Sequence, residues 1–302
     1  MTRILKRTTA YILALSLVIA GTITARAEEI GPGFVNAKAT NVKQAESSNQ
    51  ATGSKQISLD SSWKFAEFSV INSGSATLYR ADANRKDKVI GVNAGHGTKG
   101  GTKQKTWCHP DKTPKVTGGT TATGAMKAIA VSAGMTFNDG TPEAEVTLKE
   151  ALVLKDVLLA KGYDVLMIRE GEDVQLDNVA RSVICNNEAD CHIAIHWDGD
   201  GLKYDKGCFY MSVPDGIKNI KNVAATWQAS ERLGDSLIAG LSSKGCKIRG
   251  SGSVDMDLTQ TSYSTVPSVD IELGNQCSAH DEATLKKLAE GLAAGIDTYF
   301  GY

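Results

Sequence analysis

Residues 143–169, EAEVTLKEALVLKDVLLAKGYDVLMIR, decide the fold. An amphipathic helical pattern runs from Glu143 to Lys161 and stops at Gly162, a residue that suits a helix C-terminus. DVLMIR follows at once, a short apolar run of the kind that forms a buried strand. Working outward, KVIGVNA (88–94) reads as a strand upstream. Downstream come a helix over Val179–Glu188, the strand CHIAIH (191–196), the strand GCFYMSV (207–213), a helix over Val223–Lys244, the strand SVDIEL (268–273) and a helix over Asp281–Tyr299. This alternation predicts an α/β domain spanning 57–302, with a mostly parallel or mixed twisted sheet and helices on both faces. Ahead of it, WKFAEFSVINSGSATLYR (63–80) carries two β-prone runs around Asn72-Ser73-Gly74-Ser75. It predicts an edge hairpin within 57–85.

The 302 residues carry 33 basic against 34 acidic side chains, which gives no electrostatic reason to expect nucleic acid. With 41% hydrophobic residues the chain can bury a core without a metal or disulfide. Residues 1–27 read as a secretory signal: Arg3, Lys6 and Arg7, an apolar stretch from Tyr11 to Gly21, then Ala25-Arg26-Ala27. That stretch is too short for a comfortable membrane span. The expected product is secreted or held in the cell envelope, extracellular or periplasmic, with no membrane contact once the signal is cut. Residues 28–56 are polar and aperiodic, and read as a flexible linker. Cys108, Cys185, Cys191, Cys208, Cys246 and Cys277 allow up to three disulfides or none, and the sequence leaves both open. It is equally silent on oligomeric state.

In an open α/β sheet, functional groups gather beyond the carboxyl ends of the strands. His96 follows KVIGVNAG, His196 ends CHIAIH, Glu272 lies in VDIELG, and Glu143 opens the long helix. Two imidazoles and a carboxylate leave the fourth position of a tetrahedral zinc open, and a second carboxylate can take a proton from water. That is the composition of a zinc hydrolase. Each residue also has a plainer reading, Glu143 as a partner of its helix dipole and either histidine as a satisfied polar residue.

Five stretches resemble, in order, the zinc-dependent N-acetylmuramoyl-L-alanine amidases of bacterial cell walls. They are VIGVNAGHG (89–97), the segment 143–170, DVQLDNVARSVICNNEADCHIAIHWDGD (173–200), PSVDIELGNQCS (267–278) and the last helix. The resemblance implies that His96, Glu143 and His196 hold Zn2+, that Glu272 is the catalytic carboxylate, and that peptidoglycan is the substrate. Glu145 competes with Glu143, but positions 143, 147, 150 and 154 share one helix face while 145 points away. Asn93, Trp197 and Asn275 depart from the family pattern. Asn93 is expected to alter the hold on His96, and Trp197 to narrow the groove or stack on a substrate ring. The insertion at 98–142 is longer than the family's link and is expected to form a lid or specificity loop. Arg181 is expected to serve packing or an ion pair. His109, His192 and His280 read as non-ligands, and Lys99, Lys103 and Lys105 as a solvated loop.

Rival readings are weaker. GHGTKG (95–100) fits a dinucleotide motif formally, yet KQKTWCHPDKTP follows instead of a helix. DGDG (198–201) lacks the remaining ligands of a calcium loop. A zinc carboxypeptidase or other cell-wall peptidase, and a non-catalytic peptidoglycan-binding relative, stand as alternatives to the amidase.

Overall fold

The computed structural model describes residues 53–302, which lie within one compact unit. The expected signal, and the linker up to residue 52, lie outside the described residues. Among the described residues no helix is long and apolar enough to cross a membrane.

In chain order the elements are β1 (Ser54–Ser58), β2 (Ser75–Tyr79), β3 (Val89–Ala94), β4 (Lys105–Trp107), β5 (Lys127–Ile129), α1 (Glu143–Ala160), β6 (Asp164–Met167), α2 (Asn178–Glu188), β7 (Cys191–Asp198), β8 (Cys208–Ser212), α3 (Lys221–Ser243), β9 (Ile248–Asp255), α4 (Thr259–Tyr263), β10 (Ser268–Asn275) and α5 (Glu282–Phe300). One eight-stranded mixed sheet runs β1-β2-β6-β3-β7-β10-β8-β9. Its centre, β6-β3-β7-β10, is parallel throughout. The expected α/β architecture is therefore present, and β4 and β5 form a separate ribbon inside the insertion.

The strands bury both faces, which explains their nearly continuous apolar sequence. Ile193, Ile195 and Trp197 of β7 and Val269, Ile271 and Leu273 of β10 pack with Leu154, Leu158, Leu237 and Leu292 of α1, α3 and α5. The other face is less well covered. Beneath β7 and β10 it carries His192, His196, Asp270 and Glu272, and only the short helices α2 and α4 and the insertion close over it. The cavity lies there because the apolar residues alternate onto the opposite side.

Three expectations are corrected. Residues 63–80 do not form the hairpin drawn within 57–85: Ala66–Phe68 is a 3-10 turn, and β2 pairs with β1 instead. The first run cannot join a ladder because Asp177 takes its donors, accepting from Val70 N at 2.6 Å and Ile71 N at 2.9 Å. The linker boundary at 56 falls inside β1, whose one buried residue, Ile57, gives the sequence little strand signal. β9 was not expected either. It is an edge strand, IRGSGSVD, with half its positions exposed and one buried, and so no apolar pattern. All six cysteines are unbridged.

Candidate metal centre

His96, Glu143 and His196 reach one point from three segments. β3 and β7 are neighbours in the sheet, so their carboxyl ends bring the two histidines together, and the first turn of α1 lowers Glu143 onto them. Glu143 Oε1 lies 2.8 Å from His96 Nε2 and 3.1 Å from His196 Nδ1, and the two ring nitrogens are 3.1 Å apart. The rings stand at 90° with centroids 4.6 Å apart.

Backbone conformation makes this approach feasible. His96 has φ 63°, a left-handed conformation uncommon outside glycine. Arg181, fully buried, holds it by donating to His96 O at 2.6 Å and Ala94 O at 3.1 Å. Arg169 donates to Gly95 O and Ala144 O, both at 2.8 Å, and so ties the histidine turn to the start of α1. Gly95 is required, since a Cβ there would lie 2.2 Å from His196 Cε1. Arg181 thus serves the packing expected of it, but its partners are carbonyls, Thr98 Oγ1 and Asn93 Oδ1, not an acid.

Other contacts orient the side chains. His96 Nδ1 faces Ser132 O at 2.9 Å, which leaves Nε2 as the inward nitrogen. Glu143 Oε2 accepts from Met135 N at 2.8 Å, and its Oε1 from Trp197 N at 3.1 Å. Ser132 and Met135 belong to the insertion, so the 98–142 segment also holds His96 and Glu143 in place. Glu145 is exposed and paired with Lys149, as its helix face requires.

The surrounding charge is anionic. Burial alone would push Glu143 up, but hydrogen bonds from His196 and His96 hold its carboxyl well below the usual range. Burial pushes the His196 imidazolium down, while Asp270, Glu143 and Glu272 more than offset that and hold it up at about 10. Glu272 is pushed well above the carboxylate range, first by burial and then by Asp270. Its Oε2 is buried with no hydrogen-bond partner among the described residues, and its side chain lines the same cavity of about 700 Å³ as the ligand trio.

Tetrahedral zinc, with bonds of about 2.0–2.1 Å, spaces its donor atoms by about 3.3 Å. The three atoms here lie within 4.8 Å of one another, and the anionic frame favours a cation. The residues present therefore fit the metal that their composition implied.

Other expectations fare unevenly. His109 is bonded to Ser262 Oγ at 2.7 Å and Asp257 Oδ2 at 3.1 Å, but Ser262 is fully buried and offers no nucleophile. His192 is buried, which pushes it down to about 3 and keeps it neutral. His280 pairs with Asp139. Lys99, Lys103 and Lys105 are exposed and do not line the cavity. Asn93 bears on His96 through Arg181, which donates to both Asn93 Oδ1 and His96 O. Trp197 is 1% exposed, packs edge-on against Phe137 and lines the cavity. Asn275 ties down the 200–204 loop through Asp200 and Tyr204 O. Lys206 bridges Asp198 and Asp200, so an ammonium sits where a calcium loop would place its ion.

Sequence reasoning missed Asp270, although alternation in SVDIEL puts it on the face of Glu272. It also missed Arg169, Ser132 and Asp257, whose roles depend on distant partners.

Residues 90–298 match the family model of N-acetylmuramoyl-L-alanine amidase. No curated protein matches the chain. Among solved structures, the N-acetylmuramyl-L-alanine amidase of Mycobacterium smegmatis aligns with a TM-score of 0.60 at 17% identity, over 72% of this chain and 99% of that one. The Mycobacterium abscessus enzyme gives 0.57 at 18%, over 71% and 99%. The N-acetylmuramoyl-L-alanine amidase of Clostridium difficile 630 gives 0.51 at 18%, over 72% and 98%. At these identities the likeness is one of fold.

Proposed function

This chain belongs to the N-acetylmuramoyl-L-alanine amidase family, and on that premise we propose a zinc-dependent route for it, with His96, Glu143 and His196 as ligands and Glu272 as proton carrier. It is a hydrolase of the amide between N-acetylmuramic acid and L-alanine in peptidoglycan. The observation that supports the route is the meeting of His96 Nε2, Glu143 Oε1 and His196 Nδ1 in a cavity whose wall also holds the Glu272 carboxyl, its Oε2 unpartnered among the described residues.

Zinc bound there would polarise the amide carbonyl and make water a better acid. The chain's own residues supply the rest. Glu272 in its ionised form, which the charge of a bound zinc would favour, takes the proton of the attacking water and delivers it to the leaving nitrogen. Arg181 and Arg169 hold the turn that carries His96, so the ligand atoms are set before substrate arrives. Thr120, Thr121 and Thr259 also line the cavity and offer hydroxyl partners to a muropeptide. The insertion in this reading is a specificity wall and a support for the ligands at once. Export through the 1–27 signal would bring the enzyme to its polymer in the cell envelope.

Intact peptidoglycan incubated with the zinc-loaded chain tests this. New L-alanine amino termini, with metal analysis near one zinc per chain, support the amidase. Loss of C-terminal residues would identify a peptidase, and binding without release a scaffold.

A further inference from the structure

Along β10, Val269, Ile271 and Leu273 face the core while Ser268, Asp270 and Glu272 face the cavity side. Ser268 is bonded to Gln260. Asp270 has one side-chain nitrogen within ion-pair distance among the described residues: its Oδ2 lies 3.7 Å from His196 Nε2. The other nitrogen of that ring, Nδ1, is the one that meets His96 and Glu143. His196 therefore presents one nitrogen to the ligand point and the other to a carboxylate. The sheet register allows this, because Asp270 stands opposite Ala194, whose small side chain leaves the His196 ring room to lean across.

We propose that Asp270 is the positioning residue for His196: it keeps the ring proton on Nε2, so that the Nδ1 lone pair stays aimed at the metal point. This rests on the reading of His96, Glu143 and His196 as ligands. A neutral imidazole has two tautomers, and only the one protonated on Nε2 can bind through Nδ1. His96 shows the same device with another acceptor, Ser132 O on its outer nitrogen. At 3.7 Å the contact is longer than a direct hydrogen bond, a gap that a small carboxylate rotation or one bridging water spans. A carboxylate whose side chain is 13% exposed needs a donor to offset its lost hydration, and Nε2–H is the donor at hand.

The test is zinc affinity, measured on the full chain by competition with a chromophoric chelator. Asp270→Leu, similar in size but without an acceptor, should bind zinc about 10–100-fold more weakly than the parent. Asp270→Asn keeps an amide oxygen toward Nε2 and should lose severalfold, less than Asp270→Leu. With zinc saturating, the kcat defect of Asp270→Leu should be smaller than that of Glu272→Gln. Parental zinc affinity in Asp270→Leu overturns the proposal, and so does a kcat loss as large as that of Glu272→Gln at saturating zinc, which would make Asp270 the proton carrier. If Asp270→Leu does not fold by circular dichroism, Asp270→Asn decides, and parental affinity there overturns the proposal. A parent chain that binds no zinc removes the ligand reading together with this one, whereas a parent that binds while Asp270→Leu is unchanged removes only the role of Asp270.

Discussion

Glu150 and Glu272 are both buried carboxylates, yet their surroundings give them opposite meanings. Glu272 faces a cavity where a proton can be passed on. Replacing it with glutamine should leave zinc content near that of the parent while turnover falls about 100- to 10,000-fold, read by metal analysis beside product release. Loss of the metal would instead make Glu272 a ligand. Glu150 lies in the core on α1, with neither oxygen hydrogen-bonded among the described residues, and burial pushes its carboxyl well above the usual range. The folded chain therefore keeps this proton to higher pH than the unfolded chain does. Stability is unaffected below the ordinary value near ~4.3 and falls as pH rises above it. Glu150→Met, which removes the charge at similar volume, should raise stability by about 1–3 kcal/mol at pH 8, with a smaller gain at pH 4.5, read from urea midpoints. An equal gain at both would mean that the shift is absent.

At the scale of elements, α2 joins the segment before β2 to the loop that carries His96. Asp177 caps it by accepting from Ala180 N at 2.8 Å, and the same side chain accepts from Ser69 Oγ, Val70 N and Ile71 N. One turn later Arg181 grips the His96 loop. Asp177→Ala should cost about 2–4 kcal/mol, because the cap and buried backbone donors are lost together, with the urea midpoint as the measure. A loss of only a few tenths would mean that water replaces the carboxylate. These contacts also explain why 63–80 misled a reading by local propensity. The run is β-prone, but its donors are claimed by a residue more than 100 positions away.

For the molecule as a whole, the insertion that walls the cavity is tied to the β9–α4 connection by a joint at Asp257. Asp257 accepts from Lys115 Nζ at 2.8 Å, Val116 N at 2.7 Å, Thr117 N at 3.0 Å and His109 Nε2 at 3.1 Å, and also from Thr117 Oγ1. Burial raises this carboxyl, but the bonds from His109, Lys115, Thr117 and Val116 outweigh it and hold it well below the usual range. The folded pKa is thus depressed: the joint contributes fully above the ordinary value near ~3.9 and loses its contribution as pH falls through the folded value. Asp257→Asn should speed amide hydrogen exchange across 105–125 at neutral pH while β3 and β7 stay protected, and strongly acid buffer should do the same to the parent. Unchanged exchange in that segment would show that packing alone holds the wall.

The sequence by itself determined the α/β class, the central strands and the long helices, and it put forward His96, Glu143, His196 and Glu272 as candidates. The class and elements are carried by local periodicity, and the candidates by the chemistry of side chains at strand ends together with the resemblance to a known family; none of these needs a spatial partner to be read. Tertiary structure alone decided that three donor atoms lie within 4.8 Å, that the insertion supports the ligands through Ser132 and Met135, and that Asp270 stands behind His196. The reason is physical: a hydrogen bond or a metal point depends on distance in space, and folding brings together residues whose local patterns carry no trace of each other.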